Sequence, residues 1–287
     1  MITIRTENGD TVGFESFVFN GGEVQIKITD VITLENIPAV TITAHLTDSN
    51  KFFELAEIVD ALRRINPDIK INLVCPYLPY ARQDRAMVNG ESLALKVFTN
   101  FLNFLNFNRI EVWDAHSDVT LALVDRVTNK GPEYFLEKVF DKLSFEEINN
   151  YILVSPDAGA MKKVGKVAKK FNLPMFTASK IRNVHNGDIT GTEILFPIHP
   201  KHGQKFLIVD DICDGGMTFI KLAEAIIQNP IYQNWPYEKW PIELYVTHGI
   251  FSKGLDVLFN AGISKIYTAN PFPKVNLTDP RLVIVGK

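Results

Sequence analysis

Apolar and polar positions follow two different periods along the chain. In Glu23–Ile28 (EVQIKI) they alternate, the period of a strand with one face buried. Ala39–Leu46 (AVTITAHL) predicts a second strand. From Asp48 the spacing changes to that of a helix: DSNKFFELAEIVDALRRI carries apolar side chains along one face, with Asp48 or Ser49 available as a cap. KINLVCPYL, rich in β-formers, predicts the next strand, SLALKVFTNFLNFL a helix and RIEVWDAH another strand. The second half repeats the rhythm. YILVSPDAG precedes the helix AMKKVGKVAKKF, KFLIVDDI precedes MTFIKLAEAIIQ, and IELYVTHGI precedes KGLDVLFNAG, with KIYTA after it.

This strand-then-helix order predicts an α/β fold of mostly parallel sheets flanked by helices, with ligands at the carboxyl ends of strands. The polar stretch DKLSFEEINN is the expected boundary, so two similar domains are predicted, 1–147 and 148–287. No short-period repeat or low-complexity segment interrupts them.

Composition narrows the function classes. The chain has 287 residues, 46% hydrophobic and 22% charged, as an ordinary globular protein does. Its net charge of −3 provides no bulk attraction for nucleic acid or an anionic membrane. No apolar run approaches a membrane-spanning length, and MITIRTENGD lacks the basic end and apolar core of a signal peptide. A cytoplasmic location is expected. The two cysteines, Cys75 and Cys213, stand far apart without a CxxC pattern, which argues against a disulfide scaffold and a structural zinc site.

The stretch LIVDDICDGGMTF (Leu207–Phe219) carries the most chemistry. An apolar strand ends in Asp210 and Asp211, a third aspartate follows at Asp214, and a helix begins near Thr218. Gly215 and Gly216 let backbone amides approach a ligand, and the helix start adds its positive end. That suits a phosphate, whereas the aspartates suit neutral hydroxyls or a metal. A sugar phosphate satisfies both halves. An acidic turn with a glycine cap is the plainer alternative.

These residues resemble the ribose-phosphate loop of type I phosphoribosyltransferases and PRPP synthetases. In those families the aspartate pair holds the ribose hydroxyls and the following turn, here Asp214–Thr218 with Met217, holds the 5-phosphate. PYLPYARQDR (Pro76–Arg85) resembles the adenine-site segment of PRPP synthetases, which a typical transferase lacks. Arg82 and Gln83 supply planar donors, and Asp84 can anchor their loop. WDAHSD (Trp113–Asp118) places His116 where the family has a magnesium-associated histidine. SPDAGAMKKV (Ser155–Val164) resembles the pyrophosphate loop, with Asp157 toward the metal and Ala158, Gly159 and Ala160 toward the diphosphate. SKIRN (Ser179–Asn183) resembles the flexible catalytic loop, where Lys180 and Arg182 neutralise charge on the ATP phosphates. FNGGEVQIK (Phe19–Lys27) resembles the segment that reaches a neighbouring subunit's ATP site, Phe19 stacking on adenine and Glu23 near the base.

The ordered set, from Phe19 to Pro273, is similar to the ribose-phosphate diphosphokinase (PRPP synthetase) family as a whole. The resemblance implies two phosphoribosyltransferase-like domains and Mg2+-dependent transfer of a diphosphoryl group from ATP to the 1-hydroxyl of ribose 5-phosphate. It also implies a homo-oligomer with a shared ATP site. Asp211 and Asp214 are the candidate acceptors for the 1-hydroxyl proton, and His116 and Asp157 the candidate metal residues. Cys213 is read as a packing residue.

Four departures bear on this. The usual phosphate turn DTGGT reads DGGMT, losing a threonine hydroxyl at Gly215 and gaining an apolar side chain at Met217. An acceptor substituted on its 5-phosphate, such as ADP-ribose, is therefore a second expectation. SPDAGG ends in Ala160 rather than glycine, and DGE reads GGE at Gly21. The segments that bound the family's allosteric site are short, so weak or absent ADP allostery is expected. Two further alternatives are a transferase consuming PRPP, which PYLPYARQDR argues against, and a silent regulatory subunit. Lys180, Arg182, His116 and Asp157 weigh against the latter.

Overall fold

A computed structural model describes residues 1–182, 189–194, 201, 203–234, 239–273 and 275–286, with backbone alone for 179–182 and 189–194. The chain divides into two compact units, Met1–Lys130 and Gly131–Lys287.

The first unit contains β1 (Ile2–Thr6), β2 (Thr11–Val12), β3 (Phe14–Val18), β4 (Val24–Ile28), α1 (Val31–Leu34), β5 (Ala39–Ala44), α2 (Ser49–Ile65), β6 (Lys70–Cys75), α3 (Ala94–Phe104), β7 (Arg109–Trp113), α4 (Asp118–Leu123) and β8 (Val127–Lys130). Its sheet runs β2-β1-β5-β6-β7-β8, and β3–β4 form a separate hairpin. β5 to β8 are parallel, while β1 lies antiparallel against β5. Helix α2 starts as its sequence directs: the Asp48 carboxylate accepts the Lys51 amide at 3.1 Å, satisfying one of the free N–H groups of the first turn. Its inward stripe of Leu55, Ile58, Val59 and Leu62 is buried. Each such side chain contributes about 1.5–3 kcal/mol on leaving water.

The second unit contains α5 (Pro132–Phe140), α6 (Phe145–Asn149), β9 (Tyr151–Ser155), α7 (Met161–Phe171), β10 (Met175–Arg182), β11 (Ile189–Ile194), β12 (Lys205–Cys213), α8 (Met217–Gln228), α9 (Pro230–Gln233), β13 (Ile242–Gly249), α10 (Asp256–Asn260), β14 (Ile263–Pro271) and β15 (Leu282–Ile284). The sheet order is β11-β10-β9-β12-β13-β14-β15, all parallel except the β10–β11 pair. β9 and β13 are buried along their whole length, as strands covered on both faces are. The Glu243 carboxylate inside this unit accepts from Tyr151 Oη at 2.9 Å and Tyr267 Oη at 3.0 Å, so three strands share one satisfied polar network.

The second unit begins at Gly131, ahead of the boundary expected at 148. Helix α5 packs Phe140 against Tyr151 and Phe171, with ring centroids 5.3 and 4.7 Å apart, and so belongs to the second core. The stretch that reads as a polar linker is α6, which buries no side chain and is held by a Ser144–Glu147 capping box. Among the described residues, no helix is long and apolar enough to cross a membrane.

Candidate active site

In the first unit, β6 and β7 are adjacent parallel strands, with Cys75 opposite Val112. The loops that follow them, Pro76–Arg85 and Asp114–Ser117, therefore leave the same edge of the sheet. Trp113 N donates to Pro76 O at 3.1 Å, joining the two strand ends. Asp84 and His116 are close enough to interact electrostatically. Burial opposes ionisation of Asp84, but contacts from Ser117 and Arg85, with the charges of Arg85 and His116, outweigh it and hold the carboxyl below its ordinary value. Arg85 Nε lies 3.1 Å from Asp84 Oδ1. Asp84 thus anchors the loop, while Arg82 and Gln83 are exposed. Gln83 N donates to Tyr80 O at 2.9 Å, which fixes the turn that presents them.

Phe19 and Glu23 stand on the β3–β4 hairpin. The tip is closed by Phe19 N to Glu23 O at 2.8 Å and Gly22 N to Phe19 O at 2.8 Å. Gly22 has φ +98°, a conformation that favours glycine. Phe17, Val18 and Phe19 are exposed at the tip, although Val24, Ile26 and Ile28 of β4 face inward. The Glu23 carboxylate occupies the space that a Cβ on Gly21 would take.

In the second unit, strand order assembles the site. β10, β9, β12 and β13 are consecutive and parallel, with Thr177 opposite Ser155, Leu207 opposite Leu153 and Cys213 opposite Gly249. Their carboxyl ends place four segments along one edge: Lys180 and Arg182, Asp157–Ala160, Asp210–Thr218, and Ile250–Gly254. Lys180 and Arg182, expected on a loop, have their backbone in β10, opposite Thr192 and Ile189 of β11. Asn183, His185, His199 and His202 lie outside the described residues.

The pyrophosphate-loop candidate is shaped by its own aspartate. Asp157 Oδ1 accepts from Ala160 N at 3.1 Å, and Ser155 Oγ donates to Asp157 O at 2.8 Å. Ala158 and Gly159 are exposed between them.

The aspartate loop departs from a plain acidic turn in three ways. Asp211 is 5% exposed and pairs with Lys163 of α7, Nζ to Oδ2 3.0 Å. Asp210 Oδ1 accepts the Asp211 amide at 2.9 Å. Burial, then the neighbouring Asp211 charge, push the Asp210 carboxyl well above its ordinary value. Beyond them, no hydrogen bond among the described residues uses the amides of Gly215, Gly216, Met217 or Thr218. These amides open the N-terminus of α8, the arrangement that receives an anion. Gly216 has φ +79°, and a Cβ there would lie 2.9 Å from Leu258 Cδ2. The loop after β13 closes over this turn: Ser252 Oγ donates to Asp214 Oδ1 at 2.6 Å, and Ile250 N and Phe251 N donate to Cys213 O.

Cys213 is fully buried, and burial, reinforced by Asp210 and Asp214, pushes its thiol up to about 12. It packs rather than reacts. His116 and Asp157, the expected metal residues, belong to different units. Among the described residues, no group of three or more His, Cys, Asp or Glu is arranged to hold a metal ion.

Lys163, Ser252 and Lys253 carry no signal in the sequence. Lys163 is one of several lysines on α7, and nothing local distinguishes it from its solvated neighbours. Ser252 and Lys253 lie in VTHGIFSKG, where β13 ends and its loop begins, and nothing local there marks a role.

Comparison with known proteins finds matches in both parts of the chain. Residues 9–105 match the N-terminal domain of ribose phosphate pyrophosphokinase, and residues 133–229 match the phosphoribosyl transferase domain. The chain belongs to the ribose-phosphate pyrophosphokinase family. A ribose-phosphate pyrophosphokinase of Cereibacter sphaeroides is 28% identical over 237 residues, covering 82% of this chain and 66% of that protein. One of Thermosipho africanus is 27% identical over 269 residues, covering 93% and 80%. Phosphoribosylpyrophosphate synthetase from Mycobacterium smegmatis shares the fold, with a TM-score of 0.76 at 18% identity over 96% of this chain and 87% of that one.

Proposed function

We propose that the protein transfers the β,γ-diphosphoryl group of ATP to the 1-hydroxyl of ribose 5-phosphate, giving PRPP and AMP. The observation that carries this is the shared edge of β9 and β12: an aspartate pair beside an open row of amides suits a ribose phosphate, and the Asp157–Ala160 loop lies on the adjacent strand. The ribose 1-oxygen attacks the β-phosphorus, the bond from that phosphorus to the oxygen bridging α and β breaks, and AMP leaves with that oxygen. The 1-hydroxyl proton passes to Asp211 or Asp214. Such transfers depend on positioning and charge stabilisation. Asp210 and Asp211 orient the ribose, the turn from Gly215 to Thr218 holds its phosphate, and Lys180 and Arg182 neutralise the migrating group. Arg82 and Gln83 hold ATP on a loop anchored by Asp84.

Magnesium fits the donor chemistry. Asp157 offers a carboxylate, and Mg2+ is commonly held by one or two carboxylates together with substrate phosphates rather than by a full protein cage. Asp157 is the residue of the second unit that would hold it there, where the ion's charge would offset that of the diphosphate. The exposed Phe17–Phe19 tip, with Glu23, supports a homo-oligomer in which Phe19 meets the ATP site of a second copy.

The test is direct. Protein with ATP, Mg2+ and ribose 5-phosphate should yield AMP and PRPP in equal amounts. Absence of AMP would overturn the reading and favour a silent subunit.

A second reading has its own observation. Gly215 carries no side chain, and the stem of Lys253 passes beside it, Cε 3.6 Å from where a Cβ would stand. Lys253 makes no ion pair among the described residues, and Met217 is 51% exposed at the same turn. A cation and an apolar rim suit an acceptor that continues beyond its 5-phosphate, such as ADP-ribose. Offering ADP-ribose in place of ribose 5-phosphate separates the readings: a higher kcat/KM, lowered by Lys253→Ala, selects the larger acceptor.

A further inference from the structure

We infer that Lys163 is a positioning residue for the acceptor: its ammonium holds the Asp211 carboxylate in one orientation as the ribose-hydroxyl acceptor. The inference rests on the diphosphoryl-transfer reading above and adds a residue from α7 to it. Lys163 Nζ lies 3.0 Å from Asp211 Oδ2, and the two side chains are 21% and 8% exposed. A pair this sheltered differs from a surface ion pair, because losing either partner leaves the other charge poorly solvated.

Geometry assigns the two aspartates different tasks. Asp210 Oδ1 accepts the Asp211 amide at 2.9 Å, which turns the first carboxylate back onto the backbone. The Asp211 carboxylate is gripped from across the sheet edge, by a residue 48 positions away. Two adjacent carboxylates in a sheltered site repel one another, and one of them then tends to keep a proton. Asp210 is the one whose carboxyl is raised by burial and by Asp211. Lys163, bonded to Asp211 Oδ2, therefore fixes the orientation in which the second carboxylate can accept from ribose hydroxyls.

A bidentate arginine could replace the lysine as a cation, whereas a methionine keeps the stem and removes the charge. Lys163→Met should raise the acceptor KM about tenfold while leaving the ATP KM unchanged, because a charged hydrogen-bond partner of the acceptor site is lost. Lys163→Arg should restore most of the acceptor affinity. Equal losses toward both substrates, or no recovery with arginine, would overturn the assignment.

A second measurement needs no activity. In protein labelled with 13C at aspartate, the Asp211 carboxyl resonance should move in Lys163→Met at neutral pH, with the fold checked by thermal unfolding. An unmoved resonance in a folded variant would overturn the inference. If the wild-type protein yields no AMP, the functional reading fails, and the carboxyl resonance still reports on the Lys163–Asp211 relationship.

Discussion

Ser252 Oγ donates a 2.6 Å hydrogen bond to Asp214 Oδ1, joining the loop after β13 to the turn after β12. Asp214 is one of two proposed acceptors for the 1-hydroxyl proton, so its orientation matters to the reaction. Ser252→Ala should release it. A single hydrogen bond of this kind contributes about 1 kcal/mol, which corresponds to a roughly fivefold loss in kcat/KM for the acceptor. Steady-state kinetics with the acceptor varied at saturating ATP would show it.

Gly216 tests the backbone of the turn. Its φ of +79° and the 2.9 Å approach of Leu258 to a Cβ both oppose any side chain. Gly216→Ala should lower stability by about 1–2 kcal/mol, the usual penalty for a left-handed non-glycine residue. The acceptor KM should rise with it, since the amides of the turn shift. Urea unfolding measures the first effect, and a variant as stable as the parent would remove the backbone argument.

The pH dependence of stability follows from Asp210. Its carboxyl is raised above the ordinary 3.8 by burial, then by Asp211. A raised carboxylate binds its proton more tightly in the folded state, so its contribution is fully present below the unfolded pKa and is lost as pH rises through the folded one. Asp210→Asn removes a group whose ionisation the fold opposes. The variant should be more stable than the parent at about pH 8, with the difference fading toward about pH 4, while activity falls. Unfolding curves across that range would read the sign.

Lys180→Ala should raise the barrier by about 3–4 kcal/mol, as removing one preorganised charge stabiliser does. ATP binding should remain mostly intact, since Arg82 and Gln83 are proposed to hold the nucleotide. Near-normal turnover would remove Lys180 from the catalytic role.

Both cysteines should resist thiol reagents in the folded protein. Cys75 and Cys213 are buried, and burial pushes each thiol up to about 12. The thiolate is the reactive form, and almost none exists at about pH 8. Labelling should occur only when denaturant unfolds the chain, and rapid labelling of native protein would contradict the burial of Cys213.

Much of the fold and of the site is legible in the sequence. The helix over Ser49–Ile65 follows from its apolar stripe and its Asp48 cap, both local. The aspartates and glycines of LIVDDICDGGMTF mark a strand-to-helix turn because charge is disfavoured inside an apolar strand and glycine is tolerated in a left-handed conformation. Helix α5 is harder to assign to a domain. GPEYFLEKVF has a helical pattern, but nothing local tells that Phe140 meets Tyr151 rather than the first sheet. Lys180 and Arg182 look like loop residues because their strand is completed by β11, a separate segment.

The sequence by itself determined the alternation of strands and helices, the identity of the loops that carry charge and glycine, and the family resemblance that orders them. These are local properties: periodicity tells which face of an element is buried, and turn residues tell where it ends. Only the tertiary structure decided that β10, β9, β12 and β13 stand side by side, and so which loops share an edge. It alone paired Lys163 with Asp211 and Ser252 with Asp214. Strand order and side-chain partners depend on packing between residues far apart in the chain, and a local pattern of apolar and polar positions does not specify those contacts.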